Sequence, residues 1–180
     1  MKLTNKELIE DLKARTNANI AIAEELKKLS IEKLNQKSSA ESWSALECIE
    51  HLNRYGDYYL PEINKQLKTA NTVSPSTIFK SGVLGNYFAK LLQPKEKLNK
   101  MKTFKEMNAS GSVLSVETIH KFIAQQLEML EILEHSLTVN LKKTKTGVSI
   151  SKVIKLRLGD TFRVVIYHNQ RHLIQAQRAV

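Results

Sequence analysis

The chain has 180 residues, of which 28 are Lys or Arg and 18 are Asp or Glu, so its formal net charge is +10. At roughly 150 residues per domain, this length predicts a single domain over residues 1–180. The single cysteine, Cys48, excludes an intrachain disulfide and a paired-cysteine zinc motif, which fits a reducing compartment. The charged N-terminal stretch and the lack of a long apolar run argue against a secretion signal and a membrane span. We therefore expect a cytoplasmic protein without a membrane partner.

Two long helices are predicted in the first half of the chain. Thr4 and Glu7 have the spacing of a capping box, and the apolar periodicity that follows predicts a helix over about residues 5–29. Ser44 and Glu47 repeat this spacing and are predicted to begin the second helix. Both helices carry an apolar face, so we expect each of them to pack against other helices.

Helical periodicity is lost over residues 71–111 and returns in the second half of the chain. Gly159 and Asp160 are predicted to cap the last helix, after a basic connector over residues 141–158. One short helix and two long ones are predicted over about residues 83–92, 116–137 and 161–178. Four long amphipathic helices with a long connection between the second and the third predict an all-α fold, a four-helix bundle with one crossover.

Three of the five histidines lie where two helices can present them together. His168 and His172 are four residues apart, so both rings leave the same face of the last helix, one turn apart. His51 has the equivalent position at the edge of the apolar face of the second helix. Three imidazoles from two helices suit Zn²⁺ or Ni²⁺, with one coordination position left open. A pair at this spacing also occurs by chance in many helices, so a packing role stays an alternative, and His120 and His135 are assigned to the surface.

Several polar residues near these histidines are candidates for a supporting role. Asn169 and Gln126 fall on apolar helix faces, where a buried amide needs a hydrogen-bond partner, so they either orient metal ligands or form a core network. Asn169 also stands where HExxH metalloproteases have their glutamate base, which disfavours protease chemistry. Glu47 lies one turn before His51 and is a candidate to hold its ring nitrogen. Glu47 and Glu62 are the nearest carboxylates on the helical wheel, but neither is assigned as a general base.

Three stretches of the sequence resemble the DinB/YfiT-like superfamily. WSALECIEHL at residues 43–52 resembles its second-helix signature, and LRLGDTF at 156–162 with HNQRHLIQA at 168–176 resembles its last helix. The basic middle of the chain, residues 79–104, is similar to a subgroup of these proteins. The resemblance implies a four-helix bundle of up-down-down-up topology that is often homodimeric. It also implies a metal ion held by three histidines, which here are His51, His168 and His172.

The resemblance implies a metal-dependent enzyme that activates water or a thiol, either a hydrolase or a thiol-dependent transferase, with a small-molecule substrate such as a low-molecular-weight thiol. The alternative is a non-catalytic metal-binding or interaction bundle with a stress-related role. Lysines over residues 95–105 and 142–155 suggest phosphate binding, but Phe104 is the only aromatic residue within these two stretches, so we expect no nucleic-acid partner. A second apolar stripe on the last helix favours a homodimer, and it consists of Val164, Tyr167 and Ile174.

Overall fold

The computed structural model describes residues 2–39, 41–70, 77–95 and 102–180. Within these residues the chain is predominantly helical, as predicted, with two small antiparallel strand pairs, β1–β2 and β3–β4. The α-helices are α1 Asn5–Lys27, α2 Ile31–Asn35, α3 Ala45–Thr69, α4 Val83–Leu92, α5 Glu117–His135 and α6 Leu158–Ala179. Two single-turn 3₁₀ helices, Lys105–Met107 and Ser136–Thr138, lie before and after α5. The strands are β1 Lys2–Thr4, β2 Ile78–Lys80, β3 Lys145–Val148 and β4 Ser151–Arg157.

Both predicted capping boxes are present at the start of α1 and α3. The hydroxyl of Thr4 accepts a hydrogen bond from the backbone N–H of Glu7 at 3.1 Å, and the Glu7 carboxylate accepts one from the backbone N–H of Thr4 at 2.8 Å. Ser44 and Glu47 form the same reciprocal pair at the start of α3. These bonds satisfy backbone donors that the first turn of a helix leaves without partners.

The long helices bury their apolar faces against one another. α1 and α3 each pack against both α5 and α6. Their side chains form two buried clusters, one containing Leu12 and Ile63 and the other containing Ile49 and Phe122. α6 also packs against α4, and most of its side chains are buried. Residues of α6 are therefore held by neighbours on several sides.

The start of α6 differs from the prediction. The residue at its N-cap is Arg157, so the prediction that Gly159 and Asp160 cap this helix was wrong. The fully buried carboxylate of Asp160 instead accepts a hydrogen bond from the backbone N–H of Gly82 at 2.7 Å and pairs with Arg163 at 3.2 Å. Gly82 is the N-cap of α4, where free backbone donors attract a carboxylate. Asp160 thus fixes α4 to α6.

The basic connector over residues 141–158, in which no strand was predicted, contains the hairpin β3–β4. The hairpin is attached to α3 by two contacts. The Glu62 carboxylate accepts a hydrogen bond from the backbone N–H of Gly147 at 2.8 Å, and the Tyr59 hydroxyl accepts one from the backbone N–H of Ser149 at 3.3 Å. These contacts place the hairpin beside the C-terminal half of α3.

The surface features that suggested partners are only partly exposed. Val164 and Tyr167 of the second apolar stripe are buried by the chain itself, so they no longer argue for a dimer. Of the basic stretch over residues 95–105, residues 96–101 lie outside the described residues, and Lys95, Lys102 and Lys105 are exposed. In the part of the chain that the structure describes, no helix is both long and apolar enough to cross a bilayer.

Candidate metal centre

α3 and α6 bring His51, His168 and His172 together. One ring nitrogen from each histidine lies within 4.8 Å of the corresponding nitrogens of the other two. The Nε2 atoms of His51 and His168 are 3.3 Å apart. The structure thus places the three predicted histidines side by side, and their role as metal ligands stays a prediction.

Two of the three rings are oriented by a hydrogen bond on their outer side. The Nδ1–H group of His51 donates to the backbone carbonyl of Met107 at 2.7 Å. Nδ1 of His172 lies 2.9 Å from the side-chain oxygen of Gln175, which accepts its proton. With the proton on Nδ1, Nε2 of each ring has a lone pair for a metal. Histidines that bind metals commonly donate their other N–H group to a carbonyl or carboxylate in this way.

The donor set fits a divalent ion. Burial lowers the pKa of His51 to about 4 and that of His172 to about 3, and it lowers the pKa of His168 well below its usual value. All three rings are therefore neutral at pH 7, which is the protonation state that binds a metal. Around a tetrahedral ion with metal–nitrogen distances of about 2.0–2.1 Å, ligand nitrogens lie about 3.3 Å apart. The His51 and His168 nitrogens already have this separation.

Glu47 does not bind the ring of His51, so this prediction was wrong. The Nδ1 atom of His51 is hydrogen-bonded to the backbone carbonyl of Met107 instead. Besides its capping box, the Glu47 carboxylate accepts hydrogen bonds from Lys37 Nζ and from the backbone N–H of Gly111, both at 2.7 Å. Burial raises the pKa of Glu47, but these hydrogen bonds outweigh it and leave the pKa below its ordinary value. Glu47 is therefore an ionised anchor for the loop that contains Gly111.

Arg54 holds the same loop from the other side of His51. Its guanidinium donates to the backbone carbonyl of Asn108 and to the hydroxyl of Ser112. Glu47 lies one turn before His51 on α3 and Arg54 one turn after it. The loop that presents the Met107 carbonyl to His51 is thus attached to α3 on both sides of the contact.

The sequence model of the DinB superfamily matches residues 14–176. The chain belongs to the DinB superfamily. This confirms the family resemblance seen in the sequence. Comparisons with curated proteins and with solved structures give no match. For this DinB superfamily chain, the family and the three-histidine group together point to a metal ion.

Two aromatic rings of this DinB chain enclose the histidines. The ring centroid of Trp43 lies 4.8 Å from that of His51, and the Tyr55 centroid lies 4.9 Å from His51 and 4.6 Å from His168. Burial, with a further contribution from Tyr59, raises the pKa of Tyr55 to about 12, so its hydroxyl stays protonated. Neither ring was predicted to belong to the site. The position of Tyr55 four residues after His51, on the same helix face, was the available signal.

The other predicted residues have contacts elsewhere. The side-chain amide of Asn169 donates to that of Gln126 at 3.0 Å, and both are buried. This bond satisfies a core network, and a role in orienting metal ligands stays a prediction. Glu62 is bound to the hairpin. His120, which pairs with Glu117, and His135 are both exposed, as predicted.

A cavity of about 800 Å³ opens beside the histidines of this DinB chain. Cavities of about 300–1,000 Å³ are typical of small-molecule sites. One part of its lining comes from α6 and from α3 with the residues just before α3. The other walls come from α4, the hairpin β3–β4 and the loop before α5, stretches in which no long helix was predicted. Apolar residues contributed by these walls are Phe88, Leu91, Leu92, Phe104, Val148 and Ile150.

Proposed function

We propose that this chain is a metal-dependent enzyme of the DinB superfamily. In it, a divalent ion, Zn²⁺ or Ni²⁺, is bound by His51, His168 and His172 and activates water or a thiol. The observation that carries the proposal is the position of three neutral imidazoles beside a cavity of about 800 Å³. A structural zinc site is usually closed by four protein ligands, whereas a catalytic site keeps one position for water or substrate. The adjoining cavity favours catalysis over a non-catalytic bundle with a stress-related role.

The residues of the chain prepare the site for this chemistry. Met107 and Gln175 fix the orientation of two imidazoles, and burial keeps all three imidazoles unprotonated. Trp43 and Tyr55 pack against His51, with ring centroids 4.8 and 4.9 Å from its own. A divalent ion bound there supplies Lewis acidity, which lowers the pKa of a water or a thiol. The reaction class is that of a hydrolase or a thiol-dependent transferase acting on a small molecule such as a low-molecular-weight thiol.

We also propose that α1, α3, α5 and α6 form a four-helix bundle of up-down-down-up topology, with the crossover between α3 and α5. The packing of α1 and α3 against both α5 and α6 supports this arrangement. As further parts of the proposal, the chain is a single domain and is cytoplasmic, with no nucleic-acid or membrane partner. It is also a homodimer, which the family resemblance supports and the buried Val164 and Tyr167 do not. Gel filtration with light scattering at micromolar concentration tests the dimer, and a clean monomer contradicts it.

Metal analysis of purified variants tests the site. His51→Ala, His168→Ala and His172→Ala are each expected to lose stoichiometric zinc or nickel, because two imidazoles bind far more weakly than three. His120→Ala removes an exposed histidine and is expected to keep the wild-type metal content. The measurement is inductively coupled plasma mass spectrometry after dialysis against a weak chelator.

The same variants distinguish catalysis from a structural metal. Loss of metal with little change in the thermal unfolding midpoint supports a catalytic ion, whereas global unfolding supports the non-catalytic alternative. Screening the metal-loaded protein with low-molecular-weight thiols and electrophiles, with His168→Ala as the inactive control, then identifies the reaction. Stoichiometric metal in all three variants contradicts the three-histidine site.

A further inference from the structure

Among the residues that the structure describes, the cavity beside the histidines is bordered by more cationic than anionic side chains. Lys102, Arg171 and Arg178 line it, and among the described residues Glu41 is the only carboxylate that does so. In a cavity with apolar walls, excess positive charge produces a strong electrostatic potential, because low-dielectric walls focus the field of the charges. The cavity therefore attracts anionic small molecules.

The two arginines line the cavity from α6, as His168 and His172 do. Arg171 and Arg178 are seven residues apart, so they lie on the same side of the helix, about 10 Å apart along its axis. Gln175, which also lines the cavity, lies between them. Arg171 is level with His168 and His172, and Arg178 lies about 9 Å beyond His172 along the axis. A ligand whose reacting group is at the histidines can thus extend along this edge of α6.

Arg171 is the least accessible of these cations. Its side chain lines the cavity although the residue is only 5% exposed. Removing a charge from water costs free energy, and both interactions within the chain and an acid group in the cavity offset that cost. Arg171 and Arg178 also have interactions within the chain. A guanidinium group has five N–H donors in a planar fork, so it can bind an acid group beside another partner.

We propose that Lys102, Arg171 and Arg178 form an anion subsite of the metal cavity. The substrate is then a small molecule that carries a carboxylate or a similar acid group within about 10 Å of its reacting group. This inference rests on the proposed metal-dependent function, because the reacting group is assigned to the three histidines.

Two matched hydroxamates test the subsite. One is the linear monohydroxamate of octanedioic acid, which ends in a carboxylate, and the other is its methyl ester. Both have a metal-binding hydroxamate, so they differ only in the charge at the far end. After zinc content has been measured, isothermal titration calorimetry on the zinc-loaded full chain is expected to show at least tenfold tighter binding of the acid. The difference is expected to shrink as salt is added.

Variants assign the difference to the proposed residues. Arg178→Gln, at an exposed position, and Lys102→Gln are each expected to weaken binding of the acid at least threefold and to leave binding of the ester within twofold. Lys142→Gln removes an exposed lysine outside the lining of the cavity and is expected to change neither. Arg171→Lys, which keeps the charge but loses the planar fork, is expected to retain part of the preference for the acid.

The outcomes separate the two proposals. If zinc is bound and the acid and the ester bind equally, or neither binds, the subsite is wrong and the metal site stands. If the Arg178 and Lys102 variants keep the full preference for the acid, the subsite is also wrong. A chain that binds no zinc overturns the proposed function and this inference together.

Discussion

At the scale of single residues, the orientation of His51 depends on a loop rather than on a neighbouring carboxylate. Met107 lies 56 residues after His51, and its carbonyl reaches the ring because Glu47 and Arg54 bind the loop at Gly111 and Asn108. A backbone carbonyl cannot be replaced by a point substitution, but the side chains that position it can.

Glu47→Gln tests this positioning. The substitution keeps the size of the side chain and removes the charge that pairs with Lys37 and strengthens the bond to Gly111. We expect the loop to loosen and zinc affinity to fall by about tenfold, the lower end of the effect of losing an outer-shell partner. Competition with a chromophoric chelator at pH 7 measures this affinity.

Glu62→Gln provides the matched control. Glu62 lies on the same helix and also accepts a backbone N–H bond, but it holds Gly147 of the hairpin instead of the histidine loop. This variant is expected to lose some stability and to keep its zinc affinity. If both variants bind zinc like the wild type, the Met107 loop does not position His51.

The residues of the candidate site differ in how far the sequence predicts them. His168 and His172 share a helix face by spacing alone, and His51 has the equivalent position on the second helix. The resemblance then implies that all three are metal ligands. Met107 is not predictable in this way, because its contact with His51 depends on the path of a loop that has no periodicity. The contact of Trp43 with His51 is not predictable either, since an aromatic residue before a helix has many possible packing partners.

At the scale of elements, α4 packs closely on α6 because Gly85 has no side chain. A Cβ atom at Gly85 would lie 2.5 Å from Cβ of Asp160. Asp160 cannot easily move away, since it is fully buried and bound to Arg163 and to the backbone of Gly82. The same helix supplies Phe88 to the cavity wall, so this contact also determines where that wall lies.

Gly85→Ala is therefore expected to destabilise the protein, although alanine favours a helix by about 1 kcal/mol relative to glycine. Overpacking of this kind costs about 1–3 kcal/mol, which outweighs the gain in helix propensity. Lys90→Ala, at an exposed position of α4, is expected to stay within about 0.5 kcal/mol of the wild type. Urea unfolding measures both, and a Gly85→Ala protein at least as stable as the wild type contradicts the close contact.

The four long helices were predictable, whereas the short helix α2 and the hairpin were not, for a physical reason. A helix of about 20 residues repeats its apolar face several times, and capping boxes mark where α1 and α3 begin. β3 and β4 are short, and Val153 of β4 is 87% exposed, so no alternation of apolar and polar residues is visible. Their pairing is stabilised by contacts with Glu62 and Tyr59 of α3, which sequence periodicity does not reveal.

At the scale of the whole molecule, the buried histidines connect the candidate site to global stability. Folding buries His51 and His168 and most of His172 while the rings are neutral, and this removal from water lowers the pKa of each. In the unfolded chain a histidine has a pKa of about 6.5. The unfolded state therefore binds more protons than the folded state as the pH falls below that value. The stability of the metal-free protein must therefore decrease as the pH falls.

We expect the contribution of the three histidines to the free energy of unfolding of the metal-free protein to be fully present above about pH 6.5 and to be lost on acidification. The loss between pH 7 and pH 5 is on the order of 2 kcal/mol per histidine. The fall continues until the pH reaches the folded-state pKa values, about 4 for His51 and about 3 for His172. Urea unfolding in the presence of a chelator measures the dependence of stability on pH.

His51→Gln removes one of the three protons taken up on unfolding and is expected to reduce the loss of stability by about a third. His135→Gln, at an exposed position, is expected to leave that loss unchanged. Equal stability of the wild type at pH 7 and pH 5 would show that the three rings are not buried as neutral groups.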